Sequence, residues 1–218
     1  MIPTFYAMVL VATLWLVLLW LAARLRPGAH SRRLGLVLGV AAMLLLFLPV
    51  GEARLWSWAF GFCPNPSMLL LGVVCAGLWQ RLFGLEVLKA ADWTAVWRFA
   101  AIAGSTLYLQ PMVAGRLDLY YWGWEHGVAA WALAGLAVAF LAVGNRLGVL
   151  LLAGLIGYSF DALESVNAWD YVVDPFIWLG SLGVLATRAA QGALARRRAR
   201  RAASAPPFGV SGGASPIN

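Results

Sequence analysis

Long apolar runs broken by short polar connections constrain this chain more than any other feature. Seven runs stand out: Phe5–Ala23, Leu34–Val50, Pro66–Phe83, Trp93–Val113, Gly127–Val143, Leu147–Val166 and Val172–Thr187. A helix that crosses a bilayer needs about 20 mostly apolar residues. Hydrophobic residues make up 62% of the 218-residue chain and charged residues 11%, against roughly 25% charged in an average soluble domain. These runs predict an all-α fold, a polytopic bundle of about seven transmembrane helices.

Charge placement gives the expected orientation. Of the 16 Lys and Arg residues, all but Arg54 and Arg116 fall on one side when the runs alternate and the Arg24–Arg33 block is inside. That pattern obeys the positive-inside rule with the N-terminus outside and the C-terminus cytoplasmic. The block after the first run resists translocation, so this run reads as a true span and not as a cleaved signal. The segment 51–65, with Leu55, Trp56, Trp58, Phe60 and Phe62, reads as an interfacial or re-entrant piece. Abundant Arg and Ala with a single Lys point to a GC-rich bacterial genome, hence to a multi-pass protein of the bacterial inner membrane.

The expected domain plan is a seven-helix transmembrane domain over 1–187, a basic juxtamembrane segment over 188–203 and a disordered tail over 204–218. Arg196, Arg197, Arg198, Arg200 and Arg201 form a cluster suited to anionic lipid headgroups, at roughly 1 kcal/mol per basic residue near the surface. The basic residues lie between and after the apolar runs and not in a patch, which excludes a nucleic-acid partner. Cys63 and Cys75 would be about 18 Å apart on a helix, too far for a disulfide, which needs Cα atoms within roughly 7 Å.

The candidate chemistry lies in two connections, 115–126 and 158–175. Asp161 and Glu164 are the unusual acids. If the sixth run continues as helix, they share one face at its C-terminal end, where the dipole disfavours negative charge. Asp118, Glu125, His126 and Asp170 are their candidate partners as ligand- or ion-binding residues. A carboxylate and imidazole set of this kind suits a divalent cation as cofactor. A proton path through a buried acid, or ion pairing to Arg54 and Arg116, accounts for the same residues. Asp174 before Pro175 reads as a helix cap, as does Asn65 before Pro66.

Tyr121, Trp122, Trp124 and Trp169 read as an interfacial belt or as a partner-docking surface, and Tyr108, Gln110 and Pro111 as the wall of a groove. Nucleophile motifs of intramembrane proteases are missing, as is a mid-membrane Lys for a Schiff base. His30 and His126 fall on opposite sides, so paired haem ligation is excluded, and no nucleotide-binding fingerprint is present. The sequence therefore favours a non-enzyme, an accessory or binding subunit that docks another membrane or periplasmic protein, a lipid or a small ligand at an acidic, aromatic outer face. The alternative is a metal- or proton-dependent membrane enzyme or transporter using the outer carboxylates.

Overall fold

The computed structural model describes residues 2–25, 32–113, 118–124 and 127–203. The helices are α1 (Ile2–Leu25), α2 (Arg32–Phe47), α3 (Leu55–Phe62), α4 (Met68–Phe83), α5 (Ala90–Val113), α6 (Val128–Ala142), α7 (Leu147–Ser159) and α8 (Pro175–Ala203). A two-stranded antiparallel hairpin, β1 (Pro49–Val50) and β2 (Ala53–Arg54), joins α2 to α3. Gly51, at φ 65°, occupies the first position of its two-residue turn, where a backbone without Cβ meets no steric cost. The segment expected to be interfacial is thus a hairpin followed by a short helix.

Three residues with positive φ follow helix ends: Gly84 and Gly144 come directly after apolar runs, and Asp161 lies inside the run Leu147–Val166. Gly84 stops α4 at φ 72°. Gly144 follows α6 at φ 70°, where the Gly144 N–H donates to Leu141 O at 2.9 Å and the Asn145 N–H to Phe140 O at 2.8 Å. Asp161 follows α7 at φ 49°, with its N–H to Tyr158 O at 3.2 Å and that of Ala162 to Gly157 O at 2.9 Å. The last two are Schellman closures, in which a left-handed residue satisfies the final carbonyls of a helix.

Helix length and composition overturn the seven-span reading. Among the described residues one helix, Phe5–Leu25, is long and apolar enough to cross a membrane by length and composition. The apolar helices α4, α6 and α7 have 16, 15 and 13 residues, about 20–24 Å at 1.5 Å per residue, short of a hydrocarbon core of about 30 Å. The 24 residues of α5 include Asp92 and Arg98, and the 29 of α8 end in the arginine cluster. The transmembrane bundle, its N-out orientation, the bilayer and anionic-lipid partners, and the multi-pass inner-membrane location are all corrected. The membrane-subunit function and the membrane enzyme or transporter alternative fall with that frame.

The helices pack as neighbours in pairs, α1 with α2, α5 with α8 and α6 with α7, with α4 between α1 and α7. The core joins Leu69, Val74, Val96, Leu133, Leu147, Leu151, Tyr171, Val172 and Ile177. Each large aliphatic buried there contributes roughly 1.5–3 kcal/mol. A second cluster of Tyr6, Leu10 and Leu46 packs against Trp56 and Phe60. The Tyr6 hydroxyl donates to Ala59 O at 3.0 Å and to Cys63 O, which fastens α1 to the end of α3. The thiols of Cys63 and Cys75 are free.

Because α6 is apolar all round, patterning does not choose its inward face. Ala129, Leu133 and Ala137 are buried, whereas Trp131 remains 77% exposed. The 29 residues of α8 run past residue 187 and carry Arg196, Arg197, Arg198, Arg200 and Arg201 on exposed helix. The expected disordered tail, 204–218, lies outside the described residues.

Candidate functional site

Two buried aspartates hold the ends of the bundle. At one end Asp174, 1% exposed, precedes Pro175 at the start of α8. Its Oδ1 accepts from the backbone N–H groups of Phe176 at 2.8 Å and Ile177 at 2.9 Å, the cap expected from the sequence. Its Oδ2 accepts from the Ser67 N–H at 2.8 Å and the Ser67 hydroxyl at 2.6 Å. Ser67 Oγ in turn accepts from the Leu70 N–H at 3.0 Å and caps α4. The cap of α4 is therefore Ser67 and not Asn65, and one carboxylate serves two helix N-termini.

At the other end Asp92, 2% exposed, lies in the first turn of α5. Its Oδ2 accepts from the Lys89 N–H at 2.8 Å, reaching back to the residue before the helix as in a capping box. Its Oδ1 accepts from the Arg146 N–H at 3.0 Å, just before α7. The Arg146 guanidinium donates to the carbonyls of Glu86, at 3.4 Å, and Val87.

Beside Asp174 opens a cleft of about 430 Å³ between the α3–α4 connection, the end of α5 and the start of α8. Its walls include Cys63, Asn65, Tyr108, Asp118, Tyr120, Asp170 and Asp174. Asp170 sits in a 3-10 turn, Ala168–Tyr171, and accepts from the Tyr120 hydroxyl at 2.9 and 3.0 Å and from the Ser165 hydroxyl at 2.5 Å. Tyr108 packs its ring on Trp178 at 5.0 Å. Among the described residues no Lys or Arg lines the cleft, and no Lys or Arg side chain hydrogen-bonds to Asp170 or Asp174.

Burial governs the ionisation of this cleft. It raises the carboxyls of Asp170 and Asp174 above their ordinary value, and the hydrogen bonds from Ser165 and Tyr120, or from Ser67 and the α8 backbone, only partly oppose it. Burial and then the charge of Asp174 push the Cys63 thiol up to about 12. Tyr108 is raised by burial and then by Asp174 and Asp170, and Tyr120 by burial and then by Asp170. Thiol and phenols therefore stay protonated at neutral pH and are hydrogen-bond donors, not nucleophiles.

The expected site residues are distributed unevenly. Asp118 and Asp170 come together in the cleft. Asp161 and Glu164 do not share a helix face, because α7 ends at Ser159 and both lie exposed in the following turn. Glu125 and His126 lie outside the described residues. Among the described residues no group of three or more His, Cys, Asp or Glu is placed to hold a metal ion. Tyr121, Trp122 and Trp124 are exposed, and Trp124 pairs with Asn167 through a single bridge. Trp169 is partly buried and donates its Nε1–H to Leu119 O at 3.0 Å.

Sequence reasoning missed Asn167, which ties the two connections together. Its amide donates to Tyr120 O at 2.9 Å and its Oδ1 accepts from the Trp169 N–H at 2.9 Å. Gly123 passes so close that a Cβ there would collide with the Asn167 side chain and lie 2.6 Å from Trp169 Cδ1. The lone glycine between Trp122 and Trp124 was the available signal, since such a glycine marks close backbone approach. The groove expected at Tyr108 has its counterpart in the cleft wall. Gln110 instead fastens the end of α5 to the following loop, its Oε1 accepting from the Leu119 N–H at 3.1 Å. No family model, no curated protein and no solved structure matches the chain.

Proposed function

We propose that the cleft beside Asp174 binds a small organic cation, a molecule bearing an ammonium group. The observation that carries this reading is the charge of its lining: Asp118, Asp170 and Asp174, with tyrosines and without a cationic side chain among the described residues. Buried carboxylates without a compensating positive charge are costly. A bound ammonium supplies that charge, and the faces of Tyr108 and Tyr120 add cation–π attraction worth about 0.5–2 kcal/mol. Protonated Cys63, Tyr108 and Tyr120 favour recognition over nucleophilic chemistry.

Titration calorimetry of the whole chain with putrescine, butanediol and succinate tests this. Putrescine is expected to bind at least tenfold more tightly than either of the others. Asp118→Asn, at the exposed rim, and Asp170→Asn are each expected to weaken putrescine severalfold. Equal affinity for putrescine and butanediol would sink the reading, as would indifference to both substitutions.

A further inference from the structure

A second and larger cleft, of about 720 Å³, opens at the Asp92 end between α1, α4, α5 and α8. That volume lies inside the roughly 300–1,000 Å³ range of small-molecule sites. Arg24, at the end of α1, Arg81, at the end of α4, and Arg188, within α8, line it. No Asp or Glu is among its described lining residues. The three arginines are exposed and give the cleft lining a formal charge of three, together with Gln80 and Gln191.

Apart from Thr187, the remaining wall is apolar. Trp93 and Trp97 stack at 5.5 Å with 17° between their planes, and Arg24 lies 4.6 Å above the Trp20 ring. On α8, Gly180 and Gly183 line the same space, and a Cβ on either meets no atom within 4 Å. The small residues there do not allow a close helix approach. They leave a cavity open.

We infer that this cleft binds an amphipathic anion, a phosphate monoester carried on a long alkyl chain. The guanidinium groups take the head and the tryptophan and glycine walls take the chain. Several guanidinium groups suit a phosphate better than a carboxylate, because a carboxylate is satisfied by one bidentate Arg, whereas a phosphate offers three oxygens and close to two negative charges. An apolar chain beside Trp93 and Trp97 removes both surfaces from water. The inference does not depend on the cation cleft, which lies at the other end of the bundle and shares no residue with this one.

Equilibrium binding to the whole chain decides the matter, with dodecyl phosphate below its micellar concentration, inorganic phosphate and dodecyl maltoside as probes. Dodecyl phosphate is expected to bind one per chain, at least tenfold more tightly than either of the others. Arg81→Gln and Arg188→Gln are each expected to weaken it about tenfold, and the Arg→Lys variants by less. Gly183→Leu fills the open wall and is expected to abolish the advantage of the alkyl chain over inorganic phosphate while the thermal melt is retained or raised. Exchanging Arg197 and Arg198 for Gln is expected to leave binding unchanged. Equal affinity for dodecyl maltoside would reduce the cleft to an apolar surface. Equal affinity for inorganic phosphate would reduce it to a free-phosphate site. Loss of binding in the Arg197 and Arg198 variant, with Arg81→Gln silent, would place the anion on the C-terminal cluster. Each of these three results overturns the inference.

Discussion

Asp174 and Asp92 do the same structural task at opposite ends of the bundle, each joining the start of one helix to the start of another. Their surroundings differ. Asp174 takes four donors, two at the head of α8 and two from Ser67, and faces a cleft whose described charged groups are acidic. Asp92 takes two backbone donors, those of Lys89 and Arg146, and the large cleft at its end is lined by arginines. Both carboxylates are held by hydrogen bonds, and what differs is the sign of the charged groups that line the neighbouring cleft.

Removing each carboxylate is expected to have the largest effects. Asp174→Ala strands four buried donors at two helix starts and is expected to cost roughly 3–5 kcal/mol of unfolding free energy. Asp92→Ala, which strands two, is expected to cost about 1–3 kcal/mol. Urea unfolding of both variants checks the order, and equal losses would show that the extra Ser67 bonds carry no weight.

Gly123→Ala probes the knot beside the acidic cleft. Overpacking against Asn167 and Trp169 is expected to cost about 1–3 kcal/mol, read as a lower urea midpoint. A neutral result would mean that the two connections separate without loss.

The pH response has a definite sign. The carboxyls of Asp170 and Asp174 are raised in the folded state from the ordinary 3.8. The folded chain therefore binds more protons than the unfolded chain between the two values. Their contribution is fully present below the unfolded value and is lost as pH rises through the folded one. Melting temperature measured downward from neutral pH is expected to fall less steeply, or to rise, in the native chain relative to Asp170→Asn. Parallel curves would remove Asp170 from the linkage.

The smallest effect concerns Asp161, expected from the sequence as a ligand- or ion-binding residue. Asp161 closes α7 in the left-handed region, which glycine adopts without cost. Asp161→Gly is expected to stabilise the chain by about 0.5–1 kcal/mol, seen as a small rise in melting temperature. A loss of stability would assign the Asp161 side chain a contact beyond its cap role.

Much of the helical content was legible, because apolar runs of this length with few breakers form helices wherever they are buried. The pairing of Asp174 with Pro175 also announced the start of α8. The helix ends were harder to place. Gly84 and Gly144 carry the usual signal for a left-handed stop, but Asp161 lies in a stretch that charge alone made look like a helical face. Of the three stops, only that at Asp161 lies inside an expected span, the run Leu147–Val166, and it ends α7 at Ser159.

The candidate sites divide in the same way. Composition and order along the chain were enough to show that acids and aromatics crowd 115–126 and 158–175, that an Arg cluster follows the last apolar run, and that few side chains carry charge at all. Packing was needed to bring Asp170 to Tyr120 and Asp174 to Ser67 across 107 residues, and to leave Asp161 and Glu164 exposed beyond the end of α7. It also chose which side of α6 is buried. The physical reason is common to all of these: a helix apolar on every face, and an acid flanked by aromatics, have several equally good local solutions. The choice among them is made by the partner that packing brings within hydrogen-bond reach.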